Sequence, residues 1–378
     1  MSADKVERNY KSFIGSSSQI DGSINDLKQD AIFGHRYCPD HQGAYFSFLL
    51  STKIAGFAAP EQYHIGADDA SFMDDYLQKI RGRRVCFVDV CPDDVNVLRK
   101  VCEAAQTVTI LDHHATTMDV LDELGDVHTN LFYIIDTTRS AAEIAYDWCT
   151  CILKKYLISN GIDTDIGSIS CEDRRFGVAH SDQLTVFDGK RPWFIQIIAD
   201  RDMNRWQISR SLEIGKAMYK NKYYNPDELL KIYEMDEVET VMLVHRLIGE
   251  GIQIVSAELA DIQDATSRAK VYNFKGHHVA MTEVERRVYH PLKSEIGKIL
   301  YSTLECDFSC VVTYEERSGE YWVACRAKDD SPIDLTCKTI GAKGHPHAAG
   351  ITIYKKIPVM KNDQHMYGDL HEHFKVIE

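Results

Sequence analysis

The 378-residue sequence contains no run approaching the roughly 20 consecutive apolar residues that a membrane-spanning helix needs, which argues against a helical membrane protein. Its polar start, MSADKVERNYKSFIGSSSQ, mixes acidic with basic residues and lacks the apolar core of a secretory segment. The eleven cysteines include no close pair of the zinc-ribbon type, and their odd number and scatter read as reduced thiols without disulfides. The expected setting is therefore a soluble, intracellular protein of the cytoplasm with no membrane partner. Positive charge is also short. Against 57 Asp and Glu stand 43 Lys and Arg, a formal net charge of -14, so the clustered bases that hold long nucleic-acid backbones are missing and long duplex DNA is not an expected partner. No internal repeat and no low-complexity tract appears beyond the serines near the start, which excludes solenoids and arrays.

What is present is an ordinary globular composition, 44% hydrophobic and 26% charged, long enough for about two domains. The deficit of positive charge still permits a small anionic substrate, provided bound cations and a few local bases supply the attraction. Apolar runs alternate with helical patterns. AIFGHRYC (31–38) reads as a strand into a loop, GAYFSFLLSTKIAG (43–56) as a buried helix, and RRVCFVDV (83–90) as a strand. VNVLRKVCEAAQ (95–106) spaces its apolar residues as a helix, TVTIL (107–111) is a short buried strand, and LFYIID (131–136) is another. SAAEIAYDWCTCIL (140–153) reads as a helix with Ser140 at the N-cap and Glu143 at capping-box spacing. PWFIQIIAD (192–200) is expected as one more strand.

This alternation implies an α/β fold with a doubly wound, mainly parallel sheet. Residues 1–28 are expected as a loose N-terminal arm, 29–225 as the catalytic domain, 226–269 as a helical connector, and 270–378 as a smaller α/β domain. In the last, CDFSCVVTYEE and GEYWVACRAK flank Arg317-Ser318-Gly319 as a hairpin.

The polar clusters fall at strand ends, where open α/β sheets hold their ligands. His35 and Asp40 lie in the first loop, Asp89 ends the second strand, Asp112, His113 and His114 end the third, and Asp200 and Asp202 end the later one. A lone Asp at a strand end is commonly a cap or a turn former. A carboxylate followed by two imidazoles where a buried strand leaves the core has little packing value, and hard or borderline divalent metals take such mixed oxygen and nitrogen donors. His277 and His278 follow a glycine and read as a solvated turn.

These residues resemble the motifs of the DHH phosphoesterase superfamily, which includes RecJ-like exonucleases, nano-RNases, cyclic dinucleotide phosphodiesterases and family II inorganic pyrophosphatases. His-Arg-Tyr-Cys-Pro-Asp (35–40) resembles its first motif, Val88-Asp89-Val90 its second, Leu-Asp-His-His-Ala (111–115) its name motif and Ile-Ala-Asp-Arg-Asp (198–202) its fourth. Ser140-Ala141-Ala142-Glu143 is similar to a helix start of nano-RNase-like members, and Gly344-His345-Pro346-His347-Ala348-Ala349-Gly350 resembles the glycine-rich segment of the accessory DHHA1 domain.

The resemblance implies a cleft between the two domains and two divalent metals, Mn2+ first and Mg2+ or Co2+ as alternatives. Their ligands would be His35, Asp40, Asp89, His113 and Asp200, with Asp202, His41 and Gln42 as alternative donors. It implies catalytic roles for His113, for His114 against the substrate or leaving oxygen, and for Asp112 in support of the cluster. Arg326, Gly344, His345 and His347 would bind the substrate's phosphate or terminal nucleotide. Gln42 stands where many members carry a second Asp; the Cys-Pro-Asp form of the first motif resembles the nano-RNase subgroup, in which that Asp is also absent. The expected activity is hydrolysis of short oligonucleotides to mononucleotides, of 3′-5′ or 5′-3′ polarity, with a homodimer as the candidate assembly. Dinucleotide, bisphosphate-nucleotide or pyrophosphate hydrolysis on the same scaffold, and an inactive nucleotide-binding module, are the alternatives.

Overall fold

The computed structural model describes residues 13–16, 24–35, 38–65, 72–125, 127–161, 176–180, 183–274, 276–316, 318–328, 335, 343–345, 347–354 and 375–376. They belong to two units, Met1–Ile254 and Val255–Glu378.

In the first unit β2 (Ala31–His35), β3 (Glu61–Ile65), β4 (Arg84–Val88), β5 (Thr107–Asp112) and β6 (Leu131–Ile135) form a parallel sheet, edged by the antiparallel β1 (Phe13–Ser16), in the order β1-β6-β5-β4-β2-β3. Neighbouring residues of these strands enter opposite cores, because side chains alternate across a sheet. Phe33, Phe87 and Ile110 pack on one face with Leu98 and Val101 of α3 (Val95–Ala104) and Met118 and Leu121 of α4 (Ala115–Leu124). Ile32, Cys86, Val88 and Leu111 pack on the other with Phe48 and Leu49 of α1 (Pro39–Ala55) and Ile144 and Ile152 of α5 (Ala141–Ser159). Burial on both faces is why the strands read as continuous apolar runs. The doubly wound α/β arrangement is as the alternation implied. α2 (Phe72–Ile80) lies between β3 and β4 in the chain.

Two expectations change here. The arm expected over residues 1–28 is partly structured, since 13–16 pair with β6 and Leu27 is buried; much of the rest lies outside the described residues. The strand expected over 192–200 is a helix, α6 (Trp193–Asp202), in which Trp193, Phe194, Ile195, Ile197, Ile198 and Ala199 are all buried. A short helix that is apolar almost all round has no polar face to reveal its period, so it cannot be told from a buried strand by pattern.

The unit continues through the hairpin of β7 (Phe176–His180) and β8 (Gln183–Phe187), then α7 (Ser211–Lys220), α8 (Pro226–Tyr233) and the 31-residue α9 (Glu237–Ser267). The expected connector, 226–269, corresponds to α8 and α9, and the boundary between the units falls within α9. Leu243, Val244, Leu247 and Ile248 belong to a core of the first unit, Ile262 and Ala265 to a core of the second.

The second unit is a mixed sheet, ordered β13-β14-β12-β11-β10-β9-β15. Its strands are β9 (Lys270–Phe274), β10 (His277–Glu283), β11 (Phe308–Glu315), β12 (Glu320–Arg326), β13 (Lys343–His345), β14 (Ala348–Tyr354) and β15 (Lys375–Val376). α10 (Arg286–Thr303) links the parallel pair β10 and β11 and packs Val288, Leu292, Ile296 and Leu300 against Val311 and Ala324. The β11–β12 hairpin pairs Glu315 with Glu320, and Gly319 takes φ +71, which only glycine adopts without strain; Arg317 of the expected turn lies outside the described residues. His277 and His278 open β10, paired with Phe274 and Asn273, and so are not the turn they resembled. Among the described residues no helix is long and apolar enough to cross a membrane.

Candidate metal centre

β4 and β5 deliver Asp89 and then Asp112 with His113 at their carboxyl ends, the start of α1 delivers Asp40, and the last residue of α6 is Asp202. Asp89 has φ +59, a left-handed conformation that costs a non-glycine residue on the order of 1 kcal/mol, and its amide is held by the Leu111 carbonyl at 3.1 Å. His113 Nε2 lies 3.1 Å from Asp89 Oδ1, 3.5 Å from Asp202 Oδ2 and 3.7 Å from Asp40 Oδ2. His113, Asp40 and Asp89 are at most 2% exposed. Candidate ligand atoms of Asp40, His113 and Asp202 lie within 4.8 Å of one another, as do those of Asp89, Asp112, His113 and His114.

Such a concentration of charge perturbs every member. Burial, then the Asp202 and Asp89 carboxylates, push the Asp40 carboxyl well up, and burial raises Asp202 as well. Burial works to raise Asp89, yet the hydrogen bond and charge of His113, with the charges of His35 and His114, outweigh it and hold Asp89 below the ordinary carboxylate range. Burial would lower His113, but Asp89, Asp202 and Asp40 overcome it and take the imidazole up to about 10. Repulsion among buried carboxylates so close together is what a bound divalent cation would relieve. Asp89 Oδ2 and Asp202 Oδ2 are buried with no hydrogen-bond partner among the described residues. Orphaned buried carboxylate oxygens beside an imidazole fit the donor set of a divalent ion.

The expected ligands do not all converge. Asp40 joins the cluster while both its oxygens accept from the first turn of α5, Ala141 N at 2.7 Å and Ala142 N at 3.0 Å. His35 ends β2; its ring centroid is 6.2 Å from that of His114, and its carbonyl faces His41 Nδ1 at 2.9 Å. Asp200 turns elsewhere. Its Oδ1 accepts from Gln207 N and Ile208 N at 2.7 and 3.2 Å, its carbonyl accepts from Arg205 N, and its Oδ2 is buried without a hydrogen-bond partner. Asp202, two residues on, is the carboxylate that approaches His113.

The His41 ring lies on Gly34, where a Cβ would fall 2.4 Å from it, and Gln42 Oε1 accepts from Gln62 Nε2 at 3.1 Å; both side chains are engaged with β2 and β3. Asp112 Oδ1 accepts from His113 N at 2.7 Å and lies 2.8 Å from His114 Nδ1, while Oδ2 accepts from the Thr117 hydroxyl. Asp112 therefore orients His114, whose side chain is 22% exposed. Cys38, read in the sequence only as part of the Cys-Pro-Asp form of the first motif, has a thiol pushed far up by burial and by the Asp89, Asp202 and Asp40 carboxylates; Met203, which touches His113, was passed over because it belongs to no motif.

In the second unit Arg326 ends β12, in register with Ala348 of β14, which in turn pairs with His345 of β13. Gly344 is likewise in β13, paired with Ala349. The His347 carbonyl accepts from Ala327 N at 2.9 Å, and its Nδ1 is buried without a hydrogen-bond partner. The Arg326 guanidinium donates to the Cys325 carbonyl at 2.7 Å and to Ser294 Oγ at 2.9 Å, and its stem lies against Gly297, where a Cβ would come within 2.8 Å. Lys293 precedes Ser294 on α10, and burial, then the Arg326 charge, lower its pKa. Neither Arg326 nor Lys293 forms an ion pair with a described residue.

No family model matches the sequence, and no curated protein does. Among solved structures the chain is similar to an exopolyphosphatase-related protein from Bacteroides fragilis, 14% identical over 89% of each chain, with a TM-score of 0.44. It is also similar to RecJ from Thermus thermophilus in complex with Mn2+, 13% identical over 87% of this chain and 50% of that one, with a TM-score of 0.46. A pGpG-specific phosphodiesterase from Vibrio cholerae, 11% identical, aligns over 91% of this chain and 96% of its own with a TM-score of 0.32. Likeness at this level says nothing about substrate.

Proposed function

We propose that this chain is a metal-dependent phosphoesterase that hydrolyses short oligonucleotides to mononucleotides. The observation that carries the reading is the set of carboxylates of Asp40, Asp89 and Asp202 around His113 Nε2. Those four residues would hold divalent metal, with Mn2+, Mg2+ and Co2+ all suited to mixed oxygen and nitrogen donors. Bound there, the metal would supply an activated water near neutral pH and stabilise charge on phosphoryl oxygens. His114, held by Asp112 and partly exposed, is the imidazole available to the substrate or leaving oxygen. Arg326 and Lys293, with Gly344, His345 and His347, would take a phosphate of the substrate, bringing local positive charge to a chain whose net charge is -14. The resemblance of the Cys-Pro-Asp motif to nano-RNases supports short oligonucleotides.

The full chain, loaded with Mn2+, Mg2+ or Co2+, is to be given a ladder of labelled oligoribonucleotides, with cyclic dinucleotides, a 3′,5′-bisphosphate nucleotide and pyrophosphate in parallel. Turnover should be fastest on dimers to pentamers. Faster cleavage of long strands, or of one of the parallel substrates, replaces the substrate assignment. Nucleotide binding without turnover under any metal would leave a binding module on the same scaffold.

A further inference from the structure

His113 is gripped at both ring nitrogens by consecutive residues. Asp202 Oδ2 stands 3.5 Å from Nε2, and the Sδ of Met203 stands 3.1 Å from Nδ1. Met203 caps α6, its amide held by the Ala199 carbonyl at 3.0 Å. The backbone beyond it is firmly tied. Asp200 binds the amides of Arg205 and Trp206 through its carbonyl and those of Gln207 and Ile208 through its carboxylate. Asn204 and Trp206 both take φ +54, and the Arg201 guanidinium lies 3.8 Å from the Trp206 ring centre. Two left-handed non-glycine residues so close together persist only where their surroundings over-determine them. The thioether is therefore presented to His113 from a rigid segment.

Resting on the metal-centre reading above, we propose that Met203 is a positioning residue: its Sδ accepts the Nδ1–H of His113 and keeps Nε2 aimed at Asp40, Asp89 and Asp202. The partner of the second nitrogen sets the orientation and tautomer of a ligating histidine, and its loss typically lowers metal affinity about 10–100-fold. A thioether is a weak acceptor, so an amide oxygen of similar reach should serve at least as well.

The test is calorimetric titration of the full chain with Mn2+, as wild type, Met203→Leu, Met203→Gln and His113→Ala, with thermal melts of each metal-free protein. Met203→Leu keeps the volume and loses the acceptor; its Mn2+ affinity should fall about 10–100-fold at a nearly unchanged melting temperature. Met203→Gln should restore affinity to the wild-type level or above. Wild-type affinity in Met203→Leu, beside a loss in His113→Ala, would overturn the proposal and leave the metal centre standing. An equal loss in the Leu and Gln variants would assign the effect to packing and overturn it likewise. Wild-type affinity in His113→Ala would remove the metal centre and this proposal together.

Discussion

Asp200 and Asp202 sit two positions apart on α6, and residues so spaced on a helix do not share a face. One therefore serves the loop and the other meets His113. Replacing Asp202 with Asn should lower Mn2+ affinity by an order of magnitude or more, about the scale on which ligand shells respond, while the metal-free melting temperature barely moves. Replacing Asp200 with Ala should chiefly lower the metal-free melting temperature, since it strands the amides of Gln207 and Ile208 at a cost of about 1–3 kcal/mol each, and should weaken Mn2+ binding less than the Asp202 change does, through the loosened segment that carries Met203. Calorimetry and thermal melts on the two variants separate these effects. Glu283, 5% exposed with a partnerless Oε2, shows the same dependence on surroundings: burial, opposed in part by Arg268, pushes its carboxyl up to about 7. A carboxyl raised by folding contributes stability that is complete below its unfolded pKa, roughly 4.3, and is lost as pH rises through about 7. Glu283→Gln should remove that loss, stabilising the protein at pH 8 relative to pH 5 by on the order of 3 kcal/mol in denaturant titrations. An unchanged pH slope would refute the assignment.

At the scale of elements, α5 joins stability to the site. Its capping box is complete: Ser140 Oγ accepts from Glu143 N, and Glu143 Oε2 accepts from Ser140 N. Glu143 is further clamped by Arg191 and Arg205. The free amides of the next two residues hold the Asp40 carboxylate, an anion placed at the positive end of the helix. Ser140→Ala should cost about 1 kcal/mol, a fall of roughly 2–4 °C in melting temperature for a unit of this size, and should also weaken Mn2+ binding because the start of α5 frames Asp40. A fall in stability with unaltered Mn2+ affinity would separate the cap from the site. The Ser-x-x-Glu spacing made this cap legible beforehand, because it is a local arrangement of backbone and side chain. The bond from Asp40 to α5 spans a hundred residues of sequence, and no local pattern encodes it.

For the whole molecule, charge is the governing quantity. A net charge of -14 repels polyanions, so the energy that holds a phosphate has to come from few places. Arg326 and Lys293 carry positive charge without an ion-pair partner among the described residues. Lys293→Gln should raise KM for a dinucleotide several-fold with kcat nearly constant, the signature of a contact made equally in ground and transition states. A matching loss of kcat would instead assign Lys293 to the reacting centre. Steady-state kinetics over a range of salt concentrations distinguish the two, since a binding contact to an exposed phosphate weakens as salt rises.

Periodicity and local chemistry determined the α/β class, the parallel strands buried on both faces, the cap at Ser140, and the candidates at strand ends: these depend on neighbours within a turn or a strand. Tertiary structure alone decided that 192–200 is a helix, that Asp202 and not Asp200 stands against His113, that His41 and Gln42 turn toward β2 and β3, and that Met203 touches the imidazole. Each of those outcomes turns on which distant segment occupies the space beside a residue, and distance in space is what one-dimensional spacing does not carry.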